Sequence, residues 1–138
     1  MKIKQVALIA AIAALLPAVA FAAHGKAGLW SSTTTMSVPG MGPQSHSATF
    51  CMTPAQVNSD APAGGNPDCT YNNVHVTGQT YTADMVCKGQ FNATGHISTT
   101  YAGDSHYTAT ITIVTGGMTM TNNVVGQWVK ADCAGATQ

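Results

Sequence analysis

Arginine and glutamate are both missing from this chain, and charge of either sign is scarce: five lysines stand against five aspartates in 138 residues. Lys2 and Lys4 sit at the N-terminus, so Lys26, Lys88 and Lys130 are the cations left to the rest of the chain. Three scattered lysines cannot displace the counterions of a phosphate backbone, which excludes nucleic-acid binding. Docking on anionic lipid by charge is excluded for the same reason. Several catalytic signatures are absent as well. There is no G-x-S-x-G nucleophile elbow. No two cysteines have the C-x-x-C spacing of a zinc knuckle or a redox pair.

What is present begins with an export pattern. Lys2 and Lys4 precede an apolar run from Val6 to Val19, broken only by Pro17, and Ala20-Phe21-Ala22 offers small residues where a signal peptidase reads. The run is short for a membrane span, and no stop-transfer charges follow it. Residues 1–22 are therefore expected to be a secretory signal peptide, and residues 23–138 a single periplasmic or secreted domain with no membrane insertion. That domain carries two net negative charges.

Cys51, Cys69, Cys87 and Cys133 all fall in this domain. An even number in an exported chain points to disulfides rather than metal thiolates. Of the three connectivities, Cys51–Cys69 with Cys87–Cys133 is the expected one. The first bridge would close a loop rich in Pro and Gly, and the second would tie a central strand to the last one.

The domain reads as strands. In His106 to Ile113 the odd positions are apolar and the even ones polar, and Tyr81 to Met85 repeats the alternation. A period of two sends one face to a core and the other to water. Gly78-Gln79, Gly89-Gln90, Gly103-Asp104 and Gly116-Gly117 punctuate these runs as hairpin turns. The pattern predicts strands near 28–38 and 45–53, and five more between about 69 and 130. Thr53-Pro54 looks like a helix start. The fold class is all-β: a small antiparallel meander forming a strongly curved sheet or barrel, with a two-sheet sandwich as the alternative.

The order of local motifs resembles a known exported family. Gly28-Leu29-Trp30 opens it, followed by Thr33-Thr34-Thr35-Met36, Pro39-Gly40-Met41, Cys51-Met52-Thr53-Pro54 and Asp68-Cys69. Met85-Val86-Cys87-Lys88-Gly89, Tyr101-Ala102-Gly103-Asp104 and a closing Trp128 to Cys133 complete the set. Together they resemble the domain-of-unknown-function family DUF3617. The resemblance implies a periplasmic β domain with paired cysteines, and it implies no activity. Ser31 stands where that family often carries an acidic or amide residue.

Three kinds of chemistry can be read from the residues. Met36, Met41, His46, Met118 and Met120 offer thioether and imidazole ligands suited to copper(I). Against that, methionine is common core filler, and Met85, alternating with Tyr81 and Ala83, reads as core. His75, His96 and His106 are expected to face water from strand positions, and His24 matters only if processing makes it the first residue. Asp104-Ser105-His106 is consecutive, so its side chains point apart and it reads as a turn rather than a catalytic triad. Aromatic residues from Trp30 to Trp128 either fill a solid core or line a site for an apolar molecule. The expected function is a non-catalytic binding or interaction module for an apolar small molecule or an envelope protein. A soft-metal (copper) protein is the alternative, and otherwise no cofactor is expected.

Overall fold

The structure, a computed structural model, describes residues 25–58, 67–89 and 92–137. The expected signal peptide, His24, most of the Pro/Gly-rich loop and Phe91 lie outside these residues.

Seven strands and one short helix make up the described chain: β1 (Gly28–Ser37), β2 (Gln44–Met52), α1 (Pro54–Val57), β3 (Cys69–Thr77), β4 (Thr80–Cys87), β5 (Ala93–Tyr101), β6 (His106–Thr115) and β7 (Met118–Lys130). They form one antiparallel sheet in the order β2-β1-β7-β6-β5-β4-β3. The run from β3 to β7 is a meander of consecutive hairpins. The β1–β2 hairpin departs from it by docking β1 against β7 rather than β3. Both Gly116 and Gly117, the two-residue turn between β6 and β7, take positive φ (55° and 77°), which favours glycine at both positions.

The sheet is curved but not closed. β2 and β3 are its edges, and no ladder joins them among the described residues. Of the expected curved sheet or barrel, the structure takes the open curved sheet, and the sandwich alternative falls because a single sheet holds all seven strands. Curvature follows from side-chain placement. His46 of β2 and Ile97 of β5 line the same cavity, although four strand spacings would part them by about 19 Å on a flat sheet.

Alternation works as read. Tyr81, Ala83 and Met85 of β4, and Tyr107 and Ala109 of β6, are buried on the concave side. Trp30, 0 % exposed, centres the core at the end of the sheet where β1 starts. Tyr107 and Tyr101 pack against it at centroid distances of 5.5 and 6.4 Å, the latter edge-on. Phe50 and Met52 join them, and Val57 of α1 packs on this cluster. α1 starts as its sequence suggests. The Thr53 side chain accepts from the Gln56 backbone N–H at 3.3 Å, and the Gln56 side chain accepts from the Thr53 N–H at 2.8 Å, a reciprocal capping box.

The disulfide expectation is overturned. Cys51 pairs with Cys133 and Cys69 with Cys87, at Cα separations of 5.3 and 4.0 Å. Cys69 and Cys87 face each other directly across the β3–β4 ladder. Cys51–Cys133 fastens the segment after β7 to β2, where the Thr137 N–H donates to the Thr49 carbonyl and the Thr49 N–H donates to Thr137 Oγ1. Two disulfides suit an oxidising, extracytoplasmic environment. No described helix is long and apolar enough to cross a membrane.

Candidate functional site

The concave face is filled unevenly. Its β1-start end is packed with aromatic rings, whereas the middle holds a cavity of about 150 Å³. Cross-strand register assembles the walls. His46, Thr34, Val124 and Ala109 stand in one row across β2, β1, β7 and β6, and Ala48, Ser32, Gly126 and Tyr107 stand in the next. Phe50, Ile97 and Ile111 add apolar surface, and Thr99 adds a hydroxyl. The lining therefore mixes hydroxyls, from Ser32, Thr34 and Thr99, with apolar side chains on both flanks of the sheet.

Tyr107 owes its position to Gly126. A Cβ at Gly126 would overlap ring atoms Cε1 and Cζ, so the ring lies flat on the backbone of β7 and reaches toward β1. Burial pushes its phenol up to about 12. The neighbouring Tyr101 phenol is raised further, by burial first and by the nearby tyrosines second. The Tyr101 hydroxyl and Asn122 Oδ1 are buried without a hydrogen-bond partner. A larger, shallower depression of about 480 Å³ lies between Lys88, Asn92 and Val114.

The five residues read as soft-metal ligands are distributed as follows. Met36 and His46 are diagonal neighbours on β1 and β2, and Met36 and Met120 are diagonal neighbours on β1 and β7. These are opposite diagonals. His46 and Met120 are two strands and four residue steps apart, roughly 16 Å between Cα atoms. Met41 lies in the β1–β2 turn, 65 % exposed, and Met118 at the start of β7, 55 % exposed. Met36 thus has one candidate partner on each side rather than a converged set. Among the described residues, no three His, Cys or Asp side chains stand where they could share a metal ion.

On the convex face, His96 Nδ1 lies 2.9 Å from Asp84 Oδ1, and Asn73 Nδ2 donates to Asp84 Oδ2 at 2.7 Å. These bonds, Asn73 first and His96 second, hold the Asp84 carboxyl below its usual range. Asn73 sits at φ 49°, within a register shift of β3. Reading the sequence missed this pair, since its partners come from different strands. His75 and His96 are exposed as expected, and His106 is half-buried at the start of β6. Asp104 and Ser105 form a local hydrogen bond of 2.7 Å, as a turn does, with Lys26 Nζ 3.9 Å from the carboxylate. Sequence reasoning also missed Ser32, Thr34 and the Tyr107–Gly126 contact. The one signal was a glycine in the interior of a strand-like run, which often marks close approach.

The family model for a protein of unknown function, DUF3617, matches residues 25–133, nearly all of the described chain. Neither a curated protein nor a solved structure matches.

Proposed function

We propose, on the premise that this chain belongs to the DUF3617 family, that it is a non-catalytic periplasmic binding module holding a small molecule on the concave face of its sheet. The observation that carries this reading is the 150 Å³ cavity, lined by apolar and hydroxyl-bearing side chains together. Ligand sites pair an apolar lining with a few polar groups that fix orientation. Its volume limits the guest: an engineered cavity of about this size takes benzene. The absence of catalysis is part of the proposal. The Asp84–His96 pair lies on the convex face, away from the cavity, and the four cysteines are oxidised.

The test is a benzene titration of the purified, disulfide-intact protein, followed by amide chemical shifts. Saturable changes are expected at Phe50, Ala109, Ile111 and Val124. Shifts that never saturate, or that fall on the convex face, would rule the site out.

A soft-metal function has less support. The register gives Met36 either His46 or Met120, and two-ligand binding of copper(I) is what such a site allows.

A further inference from the structure

We infer that the concave cavity selects a neutral, single-ring molecule bearing a hydrogen-bonding group, and that the Tyr107 hydroxyl recognises that group. The inference rests on the binding reading above and adds the chemistry of the guest.

Three observations converge on it. The first is placement. With Cζ lying over Gly126, the hydroxyl it carries projects beyond β7 toward β1, where Ser32 is the register partner of Gly126. Both Tyr107 and Ser32 line the cavity. The second is burial. Tyr107 is 4 % exposed, so a guest that bonds its hydroxyl does so in a water-poor setting, where such a bond counts for more. The ring cannot turn away easily, being held between Trp30 and Tyr101 at 5.5 Å from each.

The third is the lack of charge. Among the described residues no lysine or aspartate lines the cavity, and the imidazole that does, His46, belongs to an exposed residue. A charged guest would leave water without gaining a counter-charge, which disfavours it strongly. Ser32 is already engaged, weakly, donating to the Ala48 carbonyl at 3.5 Å. Tyr107 is therefore the polar group best placed to discriminate.

Benzene, phenol and benzoate separate the claims. Titrated into the disulfide-intact protein, phenol is expected to bind about tenfold more tightly than benzene, the worth of one hydrogen bond. Benzoate is expected to bind more weakly than either. Tyr107→Phe keeps the ring over Gly126 and should bring the phenol affinity down to the benzene affinity measured on the same variant. Equal affinities for benzene and phenol in the natural protein would overturn the inference while leaving the binding site standing. So would a phenol preference that survives Tyr107→Phe. Failure of every probe to bind overturns both. The comparison in the natural protein stands whether or not the variant folds.

Discussion

At Gly126 the sheet gives up a side chain so that the Tyr107 ring can lie against the backbone of β7. The ring is wedged between Trp30 and Tyr101, so an added methyl cannot be absorbed by a small swing of the phenol. Gly126→Ala is expected to cost about 2 kcal/mol, as overpacking of a close-packed core does. For a domain of this size that is roughly a 10 °C fall in Tm, which a thermal melt measures. Gly103, which unlike Gly126 is at positive φ and has open space around it, isolates backbone strain from crowding. Gly103→Ala should cost only the backbone term, about 1 kcal/mol. Alternation alone showed that Tyr107 and Ala109 face inward, because that depends on one strand. It could not show what Tyr107 touches, because the register between β6 and β7 appears in neither strand taken alone.

The two disulfides act at the scale of elements, and differently. Cys69–Cys87 pins the start of the edge strand β3 to the end of β4, spanning 18 residues. Cys51–Cys133 spans 82 residues and fastens the segment after β7 to β2. Loop-closure entropy then assigns the longer bridge about 4.5 kcal/mol and the shorter about 3 kcal/mol. Replacing Cys51 and Cys133 together by serine should lower the unfolding free energy more than the same change at Cys69 and Cys87, as urea titration reads it. The opposite ranking would mean that the edge hairpin, rather than chain closure, limits stability. The pairing expected from sequence failed because it joined cysteines across a loop instead of across strands. Counting from the Gly78-Gln79 turn, with Thr77 opposite Thr80, would put Cys69 opposite Lys88; the register shift between Asn72 and His75 brings it opposite Cys87 instead, and neither strand taken alone shows that shift. The α1 cap, by contrast, was legible because Thr53 and Gln56 lie within one turn of each other.

For the whole molecule the governing fact is that the sheet stops short of closing. Alternation says which face a residue occupies but not which strand lies beside it, so the strands were legible and the closure was not. An open sheet leaves two edges with unpaired backbone groups, and such edges invite pairing with another chain. The two are defended by different means. β3 carries a register shift between Asn72 and His75, with Asn73 at positive φ and its amide bonded to Asp84, and such a bulge twists an edge away from a flat partner. β2 has no bulge. Instead, the segment after β7 lies along it, where the Thr137 N–H donates to the Thr49 carbonyl at 2.9 Å and Thr137 Oγ1 accepts from the Thr49 N–H at 3.0 Å. The Gly135 carbonyl accepts from Thr49 Oγ1 at 2.7 Å. Ending the chain after Ala134 keeps Cys133 and its bridge but frees the Thr49 backbone. The shortened protein should then self-associate at concentrations where the full chain does not, seen by sedimentation velocity as a species that grows with loading. Its melting temperature should change little, because the bonds removed lie at an exposed edge rather than in the Trp30 core. If the two chains sediment alike at every concentration, the strap is not what keeps β2 from pairing, and the short, serine-rich stretch ahead of Thr49 must resist association without it.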